Sequence, residues 1–240
     1  MPRTVAISCF HDHLPPAREG TATVAIDVLR ATTTAVTAVD AGSRVFVAAS
    51  LEAAVPLAAR LADSLLVGEL GGFMPYGFHI QNSPSAVAAE QARERPVILL
   101  STSGTRLMAE AAAQGEAYAA CLRNVSAQAE HLSGHEYVRL LGAGSRGEFR
   151  AEDQLCCVRI ARALLGRDFQ PADSATEALV ERWSDASDDS FLDSPSVRYL
   201  RDTGQEHDLQ FVLEHVDDLS AVFPILEGEV LIQRLSSCGR

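Results

Sequence analysis

Three segments of this chain change in the same way, from a short apolar run to small polar residues and then to a helix-like pattern. The changes fall at Asp27, Ser101 and Gly142. In an open parallel sheet, strand-to-helix turns of this kind lie together at the carboxyl edge, where helix N-termini and backbone N–H groups can hold an anion. The sequence therefore predicts a binding site along one edge of a sheet.

Apolar runs that suit buried strands alternate with helical periodicity over the first two thirds of the chain. The predicted strands are residues 4–9, 22–28, 44–49, 64–67, 96–100, 117–121 and 137–142, and the predicted helices are residues 31–41, 51–62, 84–93, 104–113, 124–132 and 151–165. Strands that alternate with helices pair in parallel and are covered on both faces. The pattern predicts an α/β fold with a mostly parallel sheet and helices on both faces.

The regular alternation ends at Gly166, and less regular structure is predicted beyond it. The expected elements are an acidic loop at residues 184–190, a short helix at 196–203, a strand at 208–213 and an edge strand at 221–226 that Pro224 breaks. We predict that residues 1–166 form a main α/β domain that carries an anion and metal site. Residues 167–240 are expected to form a smaller α+β lobe or cap that completes the site. A face of this lobe could pair two copies of the chain as a symmetric homodimer.

The chain is acidic, with 20 basic and 32 acidic residues and a formal net charge of −12. It lacks the electrostatic footprint of a nucleic-acid-binding protein, so a local cluster of arginines must attract any anionic ligand. It has no apolar run long enough to span a membrane, no apolar signal core and no zinc-ligand spacing among its five cysteines. We expect a cytoplasmic protein without membrane association and with buried thiols.

An acidic side chain interrupts the apolar run of residues 22–28. A carboxylate at Asp27 is expensive to bury unless it is paired, hydrogen-bonded or bound to a metal. Arg30 follows three residues later. Two interpretations stay open, namely an internal salt bridge between Asp27 and Arg30, or an anion clamp beside a metal-binding carboxylate.

Three further carboxylates are predicted at the same edge of the sheet. Glu69 lies between glycines just after the strand at 64–67, and Glu152 and Asp153 begin the helix at 151–165. The structural interpretation is an exposed loop position for Glu69 and a favourable helix-dipole interaction for the other two. The functional interpretation is that these carboxylates are metal ligands.

Small polar residues and arginines surround the same predicted helix starts. Hydroxyl, amide and backbone N–H groups there can cap a helix or hold phosphate and sulfonate oxygens. These candidates are Thr32, Thr33, Thr34, Asn82, Ser83, Thr102, Ser103, Gly104 and Thr105. The arginines that can attract an anion locally are Arg30, Arg106, Arg123 and Arg146.

Residues Gly142 to Gly147 match G-x-G-x-x-G, so a Rossmann-type oxidoreductase is an alternative. The next helix is predicted to begin only near Ala151, and the third glycine therefore does not enter it as a dinucleotide-binding fingerprint requires. The chain contains neither the Gly-Lys-Ser/Thr of a P-loop nor the G-x-S-x-G of a serine nucleophile elbow. His11 and His13 are typical of solvated side chains rather than of a metal site.

Six motifs follow one another in the order of a known family. They are Ile26–Thr34, Gly68-Glu69, Asn82-Ser83-Pro84, Thr102–Thr105, Asn124, and Gly142–Gly144 with Ala151–Asp153. Together they resemble the 2-phosphosulfolactate phosphatase family over about residues 20–160. These are magnesium-dependent phosphatases that convert 2-phospho-3-sulfolactate to sulfolactate and phosphate, a step toward coenzyme M. Where the family has Thr-Asn-Gly-Thr, this chain has a serine at Ser103, which lacks the reach of the amide.

The resemblance implies a hydrolase of phosphoric monoesters that acts on a small anionic substrate. It implies Asp27, Arg30 and Glu69 as catalytic residues. It also implies that Mg²⁺ binds to Asp27, Glu69, Glu152 and Asp153. Asp27 could instead be a covalent nucleophile, and the sequence leaves these two roles open.

The resemblance also implies which residues bind the substrate. They are the polar residues at the helix starts named above, from Thr32 to Thr105, together with Arg106, Asn124 and Gly144. The alternative function is a non-catalytic binding protein for a small phosphorylated or sulfonated acid. Such a protein would keep the anion site without turnover.

Overall fold

The computed structural model describes residues 2–9, 19–90, 95–144 and 148–235 of the chain. In these ranges the strands are β1 Arg3–Cys9, β2 Thr21–Ile26, β3 Val45–Ala48, β4 Leu65–Gly68, β5 Val97–Leu100, β6 Ala117–Ala120, β7 Tyr137–Gly142, β8 Phe169–Pro171, β9 Ala221–Leu226, β10 Glu229–Val230 and β11 Gln233–Arg234. The helices are α1 Ala31–Asp40, α2 Leu51–Arg60, α3 Pro84–Ala89, α4 Gly104–Ala113, α5 Val125–Leu132, α6 Ala151–Leu165, α7 Ser174–Arg182, α8 Pro195–Asp202 and α9 Glu206–Glu214, and a 3-10 turn spans Leu122–Asn124. The strands and helices predicted before residue 166 are confirmed to within a few residues at their ends.

The described strands join one mixed sheet in the order β4-β5-β3-β10-β9-β6-β2-β7-β1-β8, with β11 paired to β9. One parallel group contains β4, β5 and β3, and a second contains β6, β2, β7, β1 and β8. The antiparallel strands β9 and β10 join the two groups. The α/β class is confirmed, and the sheet is mixed rather than purely parallel, because β9 and β10 from the last part of the chain enter its centre with antiparallel pairings.

The sheet separates two large hydrophobic clusters. In β2, Val24 and Ile26 belong to one cluster and Ala25 belongs to the other. Successive side chains of a strand point to opposite faces, so a strand with helices on both sides must be apolar at every position. This is why all six residues of β2 are buried, of which four are apolar and two are the threonines Thr21 and Thr23.

Helices α1 and α4 bring the two parallel groups together. Helix α1 packs against β3, β5 and β6, and α4 packs against β2, β3 and β6. The carboxyl ends of β2 and β5 therefore meet around the N-termini of these helices, although the strands lie far apart in the sheet order.

Strand β9 is an interior strand and not the edge strand that Pro224 predicts. Pro224 lies opposite Tyr118 of β6, and its carbonyl accepts a hydrogen bond from the Leu231 N–H at 2.8 Å. The N–H and C=O of one residue point to the same side of a strand, so the missing proline donor faces the point where pairing passes from β10 to β11. The ladder is interrupted at this point, because Leu231 donates its N–H to Pro224 and the proline has no N–H to return.

The strand predicted at residues 208–213 is also wrong, because these residues lie in helix α9. Asp208, Leu209 and Val212 are its buried residues, which is a helical spacing, and Glu206 and Asp208 stand in its first turn. Acidic residues are favoured at a helix N-terminus, and a short apolar run alone does not distinguish a strand from a buried helix.

The structure does not confirm a separate C-terminal lobe. Strands β9 and β10 lie inside the same sheet as the first strands of the chain, and α9 packs against α3. The unpredicted helix α7 begins at an N-cap where Asp173 accepts the Thr176 N–H at 2.7 Å. Within the described residues, no helix is long and apolar enough to cross a membrane. Pairing of two chains stays a prediction.

Candidate functional site

A cavity of about 410 Å³ opens where the carboxyl ends of β2, β4, β5 and β7 meet the N-termini of α6 and α8. Ten of the residues predicted for the site line it: Asp27, Arg30, Glu69, Asn82, Thr102, Ser103, Arg106, Gly144, Glu152 and Asp153. The cavity lies at the carboxyl ends of these strands, as the strand-to-helix turns predict. The ends do not share one edge of the sheet, because three successive antiparallel pairings, β3–β10, β10–β9 and β9–β6, make the two parallel groups run in opposite directions. The cavity brings together segments that are more than one hundred residues apart in the chain.

Asp27 lies directly after β2 and against the N-terminus of α4. A Cβ atom built on Gly104 would stand 2.2 Å from Asp27 Oδ2, so a side chain at Gly104 would displace this carboxylate. Burial raises the pKa of Asp27 to about 7, against a lowering by the hydrogen bond from the Ala31 backbone. The charges of Glu69 and Glu152 raise this pKa further.

Asp153 and Glu152 stand at the first turn of α6 and are almost fully buried. Asp153 Oδ1 accepts the Val28 N–H at 2.8 Å, which joins α6 to the turn after β2. Burial raises the pKa of Asp153 well above its usual range, and the charges of Asp27 and Glu152 add to the rise. Burial also raises the pKa of Glu152, although hydrogen bonds from Ser196 and Ser194 oppose it.

One oxygen in this acidic cluster lacks a hydrogen-bond partner. Glu152 Oε2 is buried and has no partner among the described residues. A buried carboxylate oxygen without a donor is unfavourable unless a cation or a proton binds to it. The acidic cluster, defined here as Asp27, Glu152 and Asp153, is therefore short of positive charge.

Glu69 differs from the acidic cluster because its own loop satisfies it. Oε1 accepts the Thr102 N–H at 2.7 Å, and Oε2 accepts the Gly72 N–H at 2.7 Å and the Thr102 hydroxyl at 2.9 Å. The Thr102 hydroxyl also accepts the Gly71 N–H at 2.7 Å. Glu69 and Thr102 thus fasten the loop after β4 to the loop after β5.

Arg30 does not form the predicted internal salt bridge with Asp27. Its Nη1 donates to Asp208 Oδ2 at 2.6 Å, and the side chain is only 5% exposed. Arg30 nevertheless lines the cavity, and its charge lowers the pKa of Asp27 against the effect of burial. Arg30 thus forms a buried salt bridge and also lines the cavity, but its salt-bridge partner is Asp208 and not Asp27.

The other predicted arginines are distributed differently. Arg106 lines the cavity and is half exposed, with a loose contact of 3.8 Å to Glu110. Arg123 lies elsewhere, in a pair with Asp218 at 2.7 Å. Arg146 lies outside the described residues.

Several predicted substrate-binding hydroxyls are hydrogen-bonded inside the strand-to-helix turns and do not line the cavity. The Thr32, Thr33 and Thr34 hydroxyls donate to the backbone carbonyls of Asp27, Val28 and Arg30, at 2.8, 2.8 and 3.1 Å. The Thr105 hydroxyl donates to the Ser101 carbonyl at 2.9 Å. These threonines fix the loops that carry the site.

Ser83 and Asn124 also serve neighbouring protein groups. The Ser83 hydroxyl donates to Asp208 Oδ1 at 2.6 Å. Asn124 Oδ1 accepts the Cys121 N–H at 3.0 Å, away from the cavity. Asn82, by contrast, lines the cavity, and its buried Oδ1 has no partner among the described residues.

In the first part of the glycine-rich motif, Gly142 leaves room for the Phe149 ring and Gly144 makes a backbone hydrogen bond to Asp153. A Cβ atom on Gly142 would stand 2.2 Å from the Phe149 ring, and a backbone hydrogen bond from Gly144 lowers the pKa of Asp153 against burial. Helix α6 begins only at Ala151. The remaining residues of the motif, like His11 and His13, lie outside the described residues.

The donor set of the cavity fits a hard divalent cation better than a transition metal. Its ionisable ligands are carboxylates, and Glu152 Oε2 is unpartnered. However, no group of three or more His, Cys, Asp or Glu side chains in the described parts of the chain is arranged as a complete metal cage. Mg²⁺ commonly binds to one or two carboxylates and completes its shell with water and substrate phosphate, which this arrangement allows.

Sequence reasoning missed several residues of the site. Asp208 forms a salt bridge with Arg30. Three further residues line the cavity, namely Arg150, Ser196 and Tyr199, and the Tyr199 hydroxyl donates to the Gly72 carbonyl at 2.7 Å. The Ser-Pro start of α8 at Ser194 was a usable signal for a helix N-terminus near a site. No local signal connects Asp208 with Arg30, because the contact depends on the tertiary position of α9.

Comparison with known proteins gives a consistent match. The family model described as 2-phosphosulpholactate phosphatase matches residues 10–229. This range contains every residue that lines the cavity.

Several relatives carry the name "Probable 2-phosphosulfolactate phosphatase". The protein of Thermotoga maritima is 32% identical over 210 residues, which cover 87% of this chain and 90% of the relative. The protein of Symbiobacterium thermophilum is 36% identical over 176 residues, covering 71% and 75%. The protein of Deinococcus radiodurans is 36% identical over 177 residues, covering 71% and 73%.

Proposed function

Because this chain belongs to the 2-phosphosulpholactate phosphatase family, we propose that it hydrolyses 2-phospho-3-sulfolactate to sulfolactate and inorganic phosphate with the help of Mg²⁺. As a member of this family the chain is a phosphoric monoester hydrolase. The observation that carries the proposal is the meeting of the acidic cluster with Arg30 in one cavity, beside the N-termini of α1, α4 and α6. A phosphate monoester needs both positive charge for its oxygens and a group that acts on phosphorus.

Mg²⁺ would be held by Asp27 and Glu152, with Asp153 behind them. The unpartnered Oε2 of Glu152 supports this assignment, and so does burial, which raises the pKa values of all three carboxyl groups. When bound, Mg²⁺ supplies neutralisation of phosphate charge and helps to orient the reacting oxygens. Glu69 was predicted as a further ligand, but its hydrogen bonds favour a role in holding the loop.

Arg30 binds the phosphate in this proposal. A guanidinium presents five N–H donors in a planar fork that suits two phosphate oxygens at once. Ser103 and Gly104 add a hydroxyl and backbone N–H groups at the start of α4, where the helix dipole favours an anion. The buried amide of Asn82 orients a polar group of the substrate from the opposite wall.

Asp27 acts at the phosphorus in one of two ways. Its carboxylate attacks phosphorus, forms an aspartyl phosphate and releases the sulfolactate oxygen, after which water hydrolyses the intermediate, or it accepts a proton from the attacking water. A burst of sulfolactate release ahead of phosphate at high enzyme concentration, with a phosphoryl adduct trapped on Asp27, identifies the covalent route. Release of both products together without an adduct identifies water attack.

The second acidic group of the substrate would contact arginine. Arg106 and Arg150 both line the cavity. Arg150 is paired with Glu148, which is 67% exposed, at 2.9 Å. Arg150 itself is 14% exposed, but its partner lies largely in solvent, so Arg150 can exchange this partner for a carboxylate or sulfonate of the substrate.

The test is phosphate release from racemic 2-phospho-3-sulfolactate, beside phospholactate and an aryl phosphate, with Mg²⁺ and with a chelator. We expect magnesium-dependent release with a strong preference for the sulfonated substrate, and Arg106→Gln and Arg150→Gln should reduce that preference. Release from the other two esters alone would overturn the substrate assignment. Binding without any release would indicate the binding-protein alternative.

A further inference from the structure

We propose that Asp208, together with Gln205, is a positioning residue that holds the guanidinium of Arg30 in place for the substrate phosphate. The inference rests on the proposed function and adds a residue that touches neither substrate nor reacting atoms. It gives α9, a helix from the last part of the chain, a direct role in the geometry of the site.

The hydrogen bonds of Arg30 use only one side of its guanidinium. Nη1 donates to Asp208 Oδ2 at 2.6 Å and to Gln205 Oε1 at 2.5 Å. Nη1 carries two N–H groups, so these two acceptors satisfy it completely. In the part of the chain that the structure describes, Nε and Nη2 have no hydrogen-bond acceptor, although Arg30 lines the cavity. Three N–H donors therefore remain for an oxyanion, and a bidentate contact needs two of them.

Asp208 is itself held rigidly. Its side chain is fully buried, and Oδ1 accepts the Ser83 hydroxyl at 2.6 Å, the Ser85 hydroxyl at 2.5 Å and the Ser85 N–H at 3.2 Å. Oδ2 accepts from Arg30. Each carboxylate oxygen is thus bound on a different side, by α3 and by Arg30. A side chain with both oxygens occupied has little freedom, so it fixes the guanidinium that it binds.

A second ion pair, in which Arg123 is buried and Asp218 is 32% exposed, shows what a purely structural arginine looks like. Arg123 donates from Nε and Nη2 to Asp218 at 3.0 and 2.7 Å, and from Nη1 to the Thr37 hydroxyl at 3.0 Å. Every nitrogen of this guanidinium faces protein, and Arg123 does not line the cavity. Arg30 is held at one nitrogen and leaves the rest free at the cavity. Because a buried salt bridge is in general a weak source of stability, this one-sided arrangement is better explained by positioning.

The test compares two variants, Asp208→Asn and Asp218→Asn. Asp218→Asn is the control, because it removes the carboxylate charge that pairs with Arg123. For Asp208→Asn we expect kcat/KM to fall about a hundredfold and the inhibition constant of inorganic phosphate to rise about tenfold. For Asp218→Asn we expect both values within about twofold of wild type, because that site is separate from the cavity. Thermal unfolding of both variants reports the structural cost of each change separately. A phosphate inhibition constant unchanged in Asp208→Asn, with a fall in unfolding temperature like that of Asp218→Asn, would overturn the proposal.

A double-mutant cycle identifies the residue through which Asp208 acts. In the Arg30→Lys background, Asp208→Asn should reduce kcat/KM by less than about threefold further, because the fork that it positions is already absent. Multiplicative losses would contradict positioning through Arg30.

Two other outcomes need their own tests, namely that Asp208→Asn does not fold and that the wild-type chain has no phosphatase activity. If Asp208→Asn does not fold, Gln205→Ala tests the same contact from a partly exposed residue, with an expected fall in kcat/KM of about tenfold, and wild-type values would overturn the inference. If the wild-type chain releases no phosphate from any ester, the proposed function fails. Calorimetric titration of inorganic phosphate into wild type and Asp208→Asn then still tests the positioning, because equal affinities would overturn it.

Discussion

The carboxylates that line the cavity fall into two groups with different surroundings. Glu69 has both oxygens occupied by three donors from two loops, at 2.7 to 2.9 Å. In the acidic cluster, Glu152 and Asp153 are buried and Asp27 is partly buried beside the same cavity, with one oxygen that has no partner in the described structure. The same residue type in the same cavity thus serves two purposes. One carboxylate fastens loops, and three others form a concentration of negative charge.

The difference follows from where each carboxylate obtains its donors. A carboxylate that accepts backbone N–H bonds from a nearby loop is compensated without any ligand. In the acidic cluster burial is the largest cause of the raised pKa values. The charges of Glu69 and Glu152 also raise the pKa of Asp27, and the charges of Asp27 and Glu152 raise the pKa of Asp153. Such a cluster is unfavourable for folding and is retained where a cation or a proton is part of the function.

The largest expected effect is on turnover. Asp27→Asn should lower kcat by about a thousandfold, because it removes both the carboxylate at the phosphorus and a ligand of the proposed Mg²⁺ site. Glu69→Gln is the matched control, since it also neutralises one carboxylate of the cavity but should cost about tenfold or less through a looser loop. Phosphate release under saturating substrate measures both values. If Asp27→Asn and Glu69→Gln lowered kcat by the same factor, the distinction between the acidic cluster and Glu69 would be wrong.

The next effect is on stability as a function of pH. The pKa of Asp27 rises from 3.8 to about 7 on folding, so between these values the native state binds more protons than the unfolded state, and the free energy of unfolding falls as the pH rises. In the presence of a chelator, Asp27→Asn should therefore be more stable than wild type at pH 8, by up to about 4 kcal/mol, and the difference should shrink toward pH 5. Urea unfolding at the two pH values measures it. If the difference in the free energy of unfolding between the two proteins did not change with pH, the raised pKa of Asp27 would be contradicted.

The sequence predicted most of the fold because most of its elements are locally encoded. Apolar runs such as β2 and β5 are buried on both faces, and N-caps such as Ser83 mark helix starts. The central position of β9 and the helical state of α9 depend on tertiary contacts, which no periodicity reports. A proline in an interior strand is tolerated here only because of a gap between two partners.

The candidate site was predictable where its residues follow strands, and not where they come from distant segments. Asp27 and Glu152 stand out as carboxylates at strand-to-helix turns. Asp208 looked like part of a strand, and its role depends on the contact with Arg30. The run Thr32 to Thr34 was predicted to bind substrate, but its hydroxyls donate to carbonyls of the turn itself. Contacts between these threonines and a substrate stay predictions.

The most direct measurement is a calorimetric titration of Mg²⁺ into wild type, Asp27→Asn and Glu69→Gln at pH 8 in the presence of inorganic phosphate. We expect wild type to bind Mg²⁺, Asp27→Asn to show no binding, and Glu69→Gln to bind with an affinity within about threefold of wild type. This result would place the cation at the acidic cluster and leave Glu69 as a loop fastener. No binding to wild type, or equal binding to Asp27→Asn, would contradict the account.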